Sequence, residues 1–539
     1  MVWADRIVGE IKERFHEKIA RGETLVLRDE KTLSGRVHVG SLRGIVLHGL
    51  IQQVLQSMEI AAVFRFELNE MDPMDELPKN LVRRDEYKRF MGQPLYTVPA
   101  HEEGAENYPM VYGREVQGVI ARLGLTLEYY KLQPAYAAGE FDDVIRDALN
   151  HAKEIRAIYK EVSGSEKPED WYPLQVICES CGKVGTTQVT AWDEKSACVQ
   201  YICKPDLVTW AQGCGHSGEI SPFNGKAKLP WKVEWPAKWK VFGVDIEGAG
   251  KDHSTSGGSR EIGKRIVEEI FHYPEPFDIP YEFFNIGGKK MSASKGLGAS
   301  AKEVSDLLPP TLLRLLMLRK LPNQPIDFDP EGTTIPNLFD EYDRLADHYF
   351  KRHKEPDADF ARSFALCQLC FPTPPKDLWQ MRFSLLSFVV QMPHLSLHDE
   401  AAKLKGSPLS KEETLALDER AHYVRQWLSL CAPPEARYTI LKEVPADLAL
   451  NATQRSALES TQKCLADPAL AWKGAAIHTA LHAVKTAMHL EPPDLFQPLY
   501  MLFLGRQSGP QMGWFLSTFP REEALQRISS ALSKNMSMS

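Results

Sequence analysis

Two short stretches, far apart in the chain, constrain the fold more than anything else among the 539 residues. The first begins with a strand-like run, Thr24-Leu25-Val26-Leu27. A Gly/Ser-rich turn holding His38-Val39-Gly40-Ser41 follows, then a helix-like run from Gly44 to Leu55. Strand, turn and helix N-terminus in this order let backbone N–H groups and the helix dipole meet phosphate. The second stretch is Lys289-Lys290-Met291-Ser292-Ala293-Ser294-Lys295-Gly296, with Gly287 and Gly288 before it and Gly298 after. Its glycines predict a loop with unusual backbone freedom. Its lysines supply point charges and its serines supply donors, a set that suits a polyphosphate. Taken singly, the loop reads equally well as a solvated basic turn, and a lone histidine is more often structural. The pairing is what points to chemistry.

Bulk properties narrow the class. Net charge is −8, so nucleic-acid contact must come from local basic patches rather than from a polycationic chain. Apolar content of 43% and charged content of 25% are ordinary for globular proteins, and the length suggests several domains with ample core. No apolar run approaches the roughly 20 residues that span a bilayer, and the N-terminus lacks the apolar segment of a signal peptide. Nine cysteines, an odd count, read as reduced thiols with some as metal ligands, so a cytoplasmic, membrane-free protein is expected.

Residues 1–170 alternate strand-like and helix-like segments, which argues a parallel sheet covered by helices. Asp72-Pro73-Met74-Asp75 follows the second strand candidate, where it is either a turn or a substrate contact. Residues 171–220 differ. Cys178-x2-Cys181-Gly182 opens a knuckle, and Cys198, Cys203, Cys214 and His216 follow. Such spacing suits a tetrahedral structural zinc ion, held by four of Cys178, Cys181, Cys203, Cys214 and His216, with Cys198 a bystander.

Residues 221–310 return to the α/β domain. Asp252-His253, ahead of the turn at Gly257 and a helix over 260–271, offers a second phosphate or ribose site. Gly258 to Lys264 matches a P-loop pattern. That reading fails because Arg265 stands where a magnesium-binding Ser or Thr is needed, and Gly263 and Lys264 fall inside a helical pattern. Trp235 and Trp239 read as packing residues. Residues 311–372 and 373–539 are helical, as a connecting and a C-terminal domain. Ser410-Lys-Glu-Glu marks one helix start, while Pro372-Thr-Pro-Pro and Pro492-Pro-Asp read as linkers. Cys367 and Cys370 lie on a helix expected over 364–371 and read as core thiols.

His38-Val39-Gly40-Ser41 and Lys290-Met291-Ser292-Ala293-Ser294-Lys295 together resemble the HIGH and KMSKS motifs of class I aminoacyl-tRNA synthetases. The string from Trp235 to Ser259, the Glu282–Gly287 run, the stretches around Arg314 and Pro322–Asp329, and the Cys-rich insertion narrow this to class I lysyl-tRNA synthetase. The resemblance implies a Rossmann-like catalytic domain with a zinc-ribbon insertion, followed by an all-α anticodon-binding helix cage. It implies ATP, Mg2+ and a structural Zn2+ as cofactors, and L-lysine and tRNA-Lys as partners, with a monomer expected. His38, Lys290 and Lys295 would be catalytic. ATP would touch His38, Gly40, Ser41, Asp252, His253, Gly257, Lys290, Ser292, Ser294 and Lys295. The sequence departs from the family pattern at Ser41 and Ala293, and also at Gly44, where an acidic residue is usual, and at Leu33. The partner of lysine's ammonium group is left open among Asp252, Glu247 and Asp245. Alternatives are a synthetase-like RNA-binding or regulatory protein without catalysis, and a glutamyl-type enzyme.

Overall fold

The structure is a computed structural model that describes residues 2–287, 289, 290 and 300–534. The chain divides into two compact units, Met1–Asp329 with Arg344–Lys376, and Pro330–Asp343 with Asp377–Ser539.

The first unit is built on a parallel sheet. Strand β1 (Leu25–Thr32) leads through the His38 turn into helix α1 (Leu42–Ser57), and β2 (Ala62–Asn69) pairs with β1 in parallel. Helix α2 (Tyr108–Arg122) then leads to β3 (Glu128–Lys131), parallel to β2. The other edge of β1 is filled by Ile246, whose N–H donates to Val26 (3.1 Å) and whose carbonyl accepts from Arg28 (3.0 Å). Ile246 also bridges Leu27 and Phe277 in parallel. The layer therefore runs Phe277, Ile246, β1, β2, β3, with all chain directions alike. Helix α1 is apolar on nearly every face and buried from Leu42 to Gln52, because it lies on this sheet.

A three-stranded antiparallel ribbon interrupts the unit: β4 (Thr187–Asp193), β5 (Cys198–Cys203) and β6 (Ser217–Ile220). It is bonded to the segment after β2. The N–H groups of Val184 and Gly185 both donate to the Gly92 carbonyl, at 2.8 and 3.1 Å. Helix α3 (Trp231–Val241) and helix α4 (Ser259–Glu269) follow. Gly263 and Lys264 lie inside α4, so the backbone there is helical and cannot form a phosphate-wrapping loop. Strand β7 (Phe284–Ile286) pairs antiparallel with β8 (Lys289–Lys290) and parallel with β9 (Ile326–Phe328), and helix α5 (Ala301–Leu307) lies between β8 and β9 in sequence.

Beneath α3 the sheet carries buried charge. Arg28, wholly buried, donates to Glu67 (2.6 Å), Glu247 (2.8 Å), Tyr130 (2.8 Å) and Glu30. Lys238 of α3, equally buried, reaches Glu67 (2.7 Å), Glu30 (2.8 Å) and Glu234 (3.2 Å). Trp235 and Trp239 donate their indole N–H groups to the two oxygens of Glu247. Buried charges survive only when paired and hydrogen-bonded, and each of these is. Burial opposes the charge on Arg28 and Lys238, yet the surrounding carboxylates outweigh it and raise both pKa values well above their ordinary range.

The second unit is helical throughout its described residues. Capping boxes at Ser410/Glu413 and Asn451/Gln454 start two of its helices. Its core gathers Leu458, Ile477, Leu481, Leu499, Phe503, Phe515 and Ile528. Pro492-Pro493 is not a linker here: it opens a helix, Pro492–Leu504, because a proline in the first turn gives up no intrahelical hydrogen bond. After Pro372-Thr-Pro-Pro the first helix of this unit's C-terminal part is short, Phe383–Val389.

Breaking the buried ion set should be severe. Arg28→Ala strands Glu67 and Glu247 without their arginine partner, and a loss of about 3–5 kcal/mol is expected in urea unfolding at pH 7. Arg65→Ala, which removes an exposed pair with Glu128, should cost no more than about 1 kcal/mol.

Candidate active site and metal centre

The carboxyl ends of the parallel strands meet the N-terminus of α1. After β1 the chain turns through Ser34-Gly35 to His38, whose carbonyl accepts from the Ser41 N–H at 3.0 Å, and α1 starts at Leu42. In open parallel sheets this edge is where ligands bind. His38 is part-buried with its Nδ1 unpartnered, so its ring waits for a donor or acceptor that the described residues do not supply. Burial, with the charge of Lys31 in support, holds its pKa down to about 4.

The chain that follows the lysine-rich stretch is anchored on this turn. Ser300 bridges His38 in antiparallel fashion, and the Ala301 N–H donates to the Val37 carbonyl at 2.8 Å. Arg36 and Glu303 close the contact at 3.2 Å. Ser300 also caps α5 in a capping box with Glu303. Backbone of Lys290 lies in β8, while Ser292, Ser294 and Lys295 fall outside the described residues.

The other expected nucleotide contacts lie at the end of the Ile246 segment. His253 packs on Trp231 and Trp235, at ring separations of 5.0 and 5.9 Å. Asp252 is exposed beside it, and Gly257 takes a left-handed φ of +74° in the turn before α4. Tyr281 is fixed next to this segment by two backbone bonds, from Lys251 N–H to its carbonyl (2.8 Å) and from its own N–H to Ala249 (3.0 Å). Gly40 and Ser41 lie in the turn into α1.

Two of the three acids considered for a substrate ammonium are already committed. Asp245 accepts from Lys18 at 2.7 Å and from the Val26 N–H. Glu247 accepts from Arg28, Trp235 and Trp239. Each is thus already paired with a cation of the protein itself. Asp72 is likewise structural, accepting from Lys228 and Thr32 at 2.6 Å each.

The sequence reading stopped β1 at Leu27 and so missed Asp29, Lys31, His48 and Tyr281. Asp29 Oδ2 lies 3.2 Å from His48 Nδ1, and His48 Nε2 accepts from the Gly248 N–H at 2.8 Å. Nε2 is therefore the acceptor nitrogen and Nδ1 bears the proton, which fixes a neutral tautomer that donates to Asp29. Gly44 fits this close approach: a Cβ on it would come within 2.6 Å of the Tyr281 hydroxyl and 2.7 Å of Asp29 Oδ2, and those side chains would have to move. The missed signal was Arg28-Asp29-Glu30-Lys31, a run of charge continuing an apolar strand, which an ordinary strand would not bury.

In the ribbon, the sulfurs of Cys178, Cys181, Cys203 and Cys214 all lie within 4.8 Å of one another. Cys178 and Cys214 are 3.7 Å apart, as are Cys181 and Cys203. Four thiolates at about 2.3 Å from a central zinc would be about 3.8 Å apart, so the donor set fits a tetrahedral thiolate-bound ion. Gly182, at φ +71°, makes the left-handed turn that folds Cys181 back, with its N–H on the Cys178 carbonyl at 2.8 Å. His216 is not in this group; its ring packs on Tyr201 at 5.9 Å. Cys198 donates to the Ser196 carbonyl and also stands apart, and Cys367 is buried on a helix.

A family model described as tRNA synthetases class I (K) matches residues 1–369. The chain belongs to that family. A second model, an anticodon binding domain, matches residues 397–532 of this synthetase. The chain is 32% identical to lysine–tRNA ligase 1 of Methanosarcina acetivorans over 99% of both chains. It is 30% identical to the lysine–tRNA ligase of Methanosarcina barkeri (98% of this chain, 97% of that one), and 28% identical to that of Methanocaldococcus jannaschii (98% and 99%). A glutamate tRNA ligase structure from Elizabethkingia meningosepticum covers 95% of this chain and 99% of its own, at 12% identity and a TM-score of 0.41. No helix of the synthetase's described residues is long and apolar enough to cross a membrane.

The buried imidazole of His38 gives a pH signature. Between its ordinary value of 6.5 and about 4, the unfolded chain binds a proton that the folded chain refuses. Stability must therefore fall as pH drops through that window. His38→Asn should flatten the dependence of the urea midpoint on pH between 6.5 and 4, and an unchanged slope would contradict the assignment.

Proposed function

We propose that the synthetase is a lysine–tRNA ligase that activates L-lysine with ATP and transfers it to the 3′ end of tRNA-Lys. A lysine carboxylate oxygen attacks the α-phosphorus, the α–β phosphoanhydride bond breaks, and pyrophosphate leaves. The terminal tRNA hydroxyl then attacks the lysyl carbonyl and AMP departs. No covalent enzyme intermediate is needed. The protein's work is to align the reactants and neutralise charge developing on phosphorus and on the leaving group.

The observation that carries this reading is the Ala301–Val37 hydrogen bond, because it ties the chain leaving the lysine-rich stretch to the histidine turn. Both motifs can then meet one triphosphate. His38, Gly40 and Ser41 contact phosphate from the α1 N-terminus. Asp252, His253 and Gly257 meet the nucleoside side. Lys290, Ser292, Ser294 and Lys295 clamp the pyrophosphate, a closure step in which Lys290 and Lys295 supply the charge. Mg2+ enters with ATP and shares the load of neutralising its phosphates. Zn2+ is held by Cys178, Cys181, Cys203 and Cys214 and has a structural role, since four thiolates leave no open position. The helical unit reads the anticodon, a role supported by the match over residues 397–532.

Exchange of labelled pyrophosphate into ATP tests the reading. Lysine should support exchange, and glutamate and glutamine should not, with or without tRNA. Lys295→Ala should lower the exchange kcat by about 100-fold or more while the chain stays folded. Lysine-independent or glutamate-dependent exchange would refute the specificity. Metal analysis tests the ribbon separately. Cys178→Ser should lose zinc, whereas Cys198→Ser and His216→Ala should retain one ion per chain.

A further inference from the structure

Acids and bases around the sheet's carboxyl edge are mostly matched in internal pairs. Glu30, Glu67, Glu234 and Glu247 each pair with one or more of Arg28, Lys238 and Lys228, the last shared with Asp72, and Asp245 pairs with Lys18. Asp29 and Lys31 stand outside this matching. Among the described residues no lysine or arginine pairs with Asp29, whose carboxylate has a neutral imidazole and the Glu30 N–H as its hydrogen-bond donors. Among the described residues no carboxylate is hydrogen-bonded to Lys31; it feels Asp29 and Glu30 through space, and burial lowers its pKa.

Alternation along β1 puts these two side chains on one face and Arg28 and Glu30 on the other. The Asp29 face looks onto α1, as its contacts with His48 and Gly44 show. At its end lies His38, which feels the charge of Lys31. The Tyr281 hydroxyl and Asp29 Oδ2 both close in on Gly44, at 2.6 and 2.7 Å from where a Cβ would stand, so Tyr281 faces the same spot as Asp29. A part-buried carboxylate and a part-buried ammonium, each short of a partner and two residues apart on one strand, match a ligand carrying both charges.

We propose that Asp29 and Lys31 hold the amino-acid substrate as a zwitterion, Asp29 taking an ammonium group and Lys31 the carboxylate that attacks ATP. This rests on the ligase reading given above. Lys31 lies between the nucleophile and the phosphate turn, so its charge lowers the repulsion between a carboxylate and the α-phosphate it approaches. In the step itself the new bond joins the carboxylate oxygen to the α-phosphorus, pyrophosphate carries away the electron pair, and Lys31 keeps its proton. His48 is a positioning residue that aims the Asp29 carboxylate.

The test compares wild type, Asp29→Asn, Asp29→Glu and Lys31→Met in the full chain, with thermal melts to confirm folding. Asp29→Asn should raise the KM for lysine by about 30-fold or more and leave the KM for ATP unchanged, the loss expected for a charge-assisted contact. Asp29→Glu should recover part of it. Lys31→Met should lower kcat more than it raises the KM for lysine. Calorimetric titration with L-norleucine, which keeps the α-ammonium, and with 6-aminohexanoate, which keeps the ε-ammonium, tells which group Asp29 holds. Weakening of either by Asp29→Asn supports the inference, and weakening of neither overturns it. A wild type that activates lysine while Asp29→Asn binds lysine equally well overturns this inference alone. A wild type that activates glutamate instead overturns the ligase specificity, and the effect of Asp29→Asn on the KM for glutamate still decides the role of Asp29.

Discussion

Arg28 is the tie on which the catalytic unit depends. From the middle of β1 its guanidinium reaches β2 through Glu67, β3 through Tyr130 and the Ile246 segment through Glu247. Lys238 repeats the gesture from the helix above, taking Glu67 and Glu30. Four chain segments are thereby held in register by directional bonds rather than by apolar packing alone. Such a network is a poor source of net stability, since removing charge from water is costly. Its value is positional. It fixes the height at which the strands end, and the reacting groups stand on those ends.

Pairing below also shapes the electrostatics above. Each of Glu30, Glu67, Glu234 and Glu247 is bonded to at least one of Arg28, Lys238 and Lys228, which weakens the negative field they project toward the candidate site. The other face of β1, against α1, carries Asp29 and Lys31, and His38 feels the charge of Lys31. The division follows from strand alternation: one face of the same four-residue run is structural and the other faces the ligand edge.

How far the sequence foretold this differs from element to element. The His38 turn and the α1 N-terminus were legible because a Gly/Ser turn between an apolar strand and an apolar helix has few other uses. The cysteine ribbon was legible because thiol spacing is local. The fourth member of its cluster was not, since Cys203 and His216 both follow the first knuckle with ligand-type side chains, and only the folded positions show Cys203 beside the other three sulfurs while the His216 ring packs on Tyr201. Glu247 and Asp245 looked available as acids because partners such as Lys18 and Arg28 are more than two hundred residues away in sequence. Pro492 was taken for a break because a proline pair ends helices as readily as it begins them. Asp29 and Lys31 escaped because hydropathy ends a strand where charge begins, and here the charge is what the strand delivers.

The cysteine ribbon's attachment has a consequence for how this chain could have been assembled. Gly92 receives two ribbon N–H groups, Gln93 donates to the Cys181 carbonyl at 3.3 Å, and the segment leaving the ribbon presents Lys228 to Asp72. Excision of residues 171–220 with a short splice would leave the Gly92 carbonyl without its two donors and misplace the lysine that Asp72 pairs with, so the ribbon is no detachable ornament but part of the wall that carries the sheet edge.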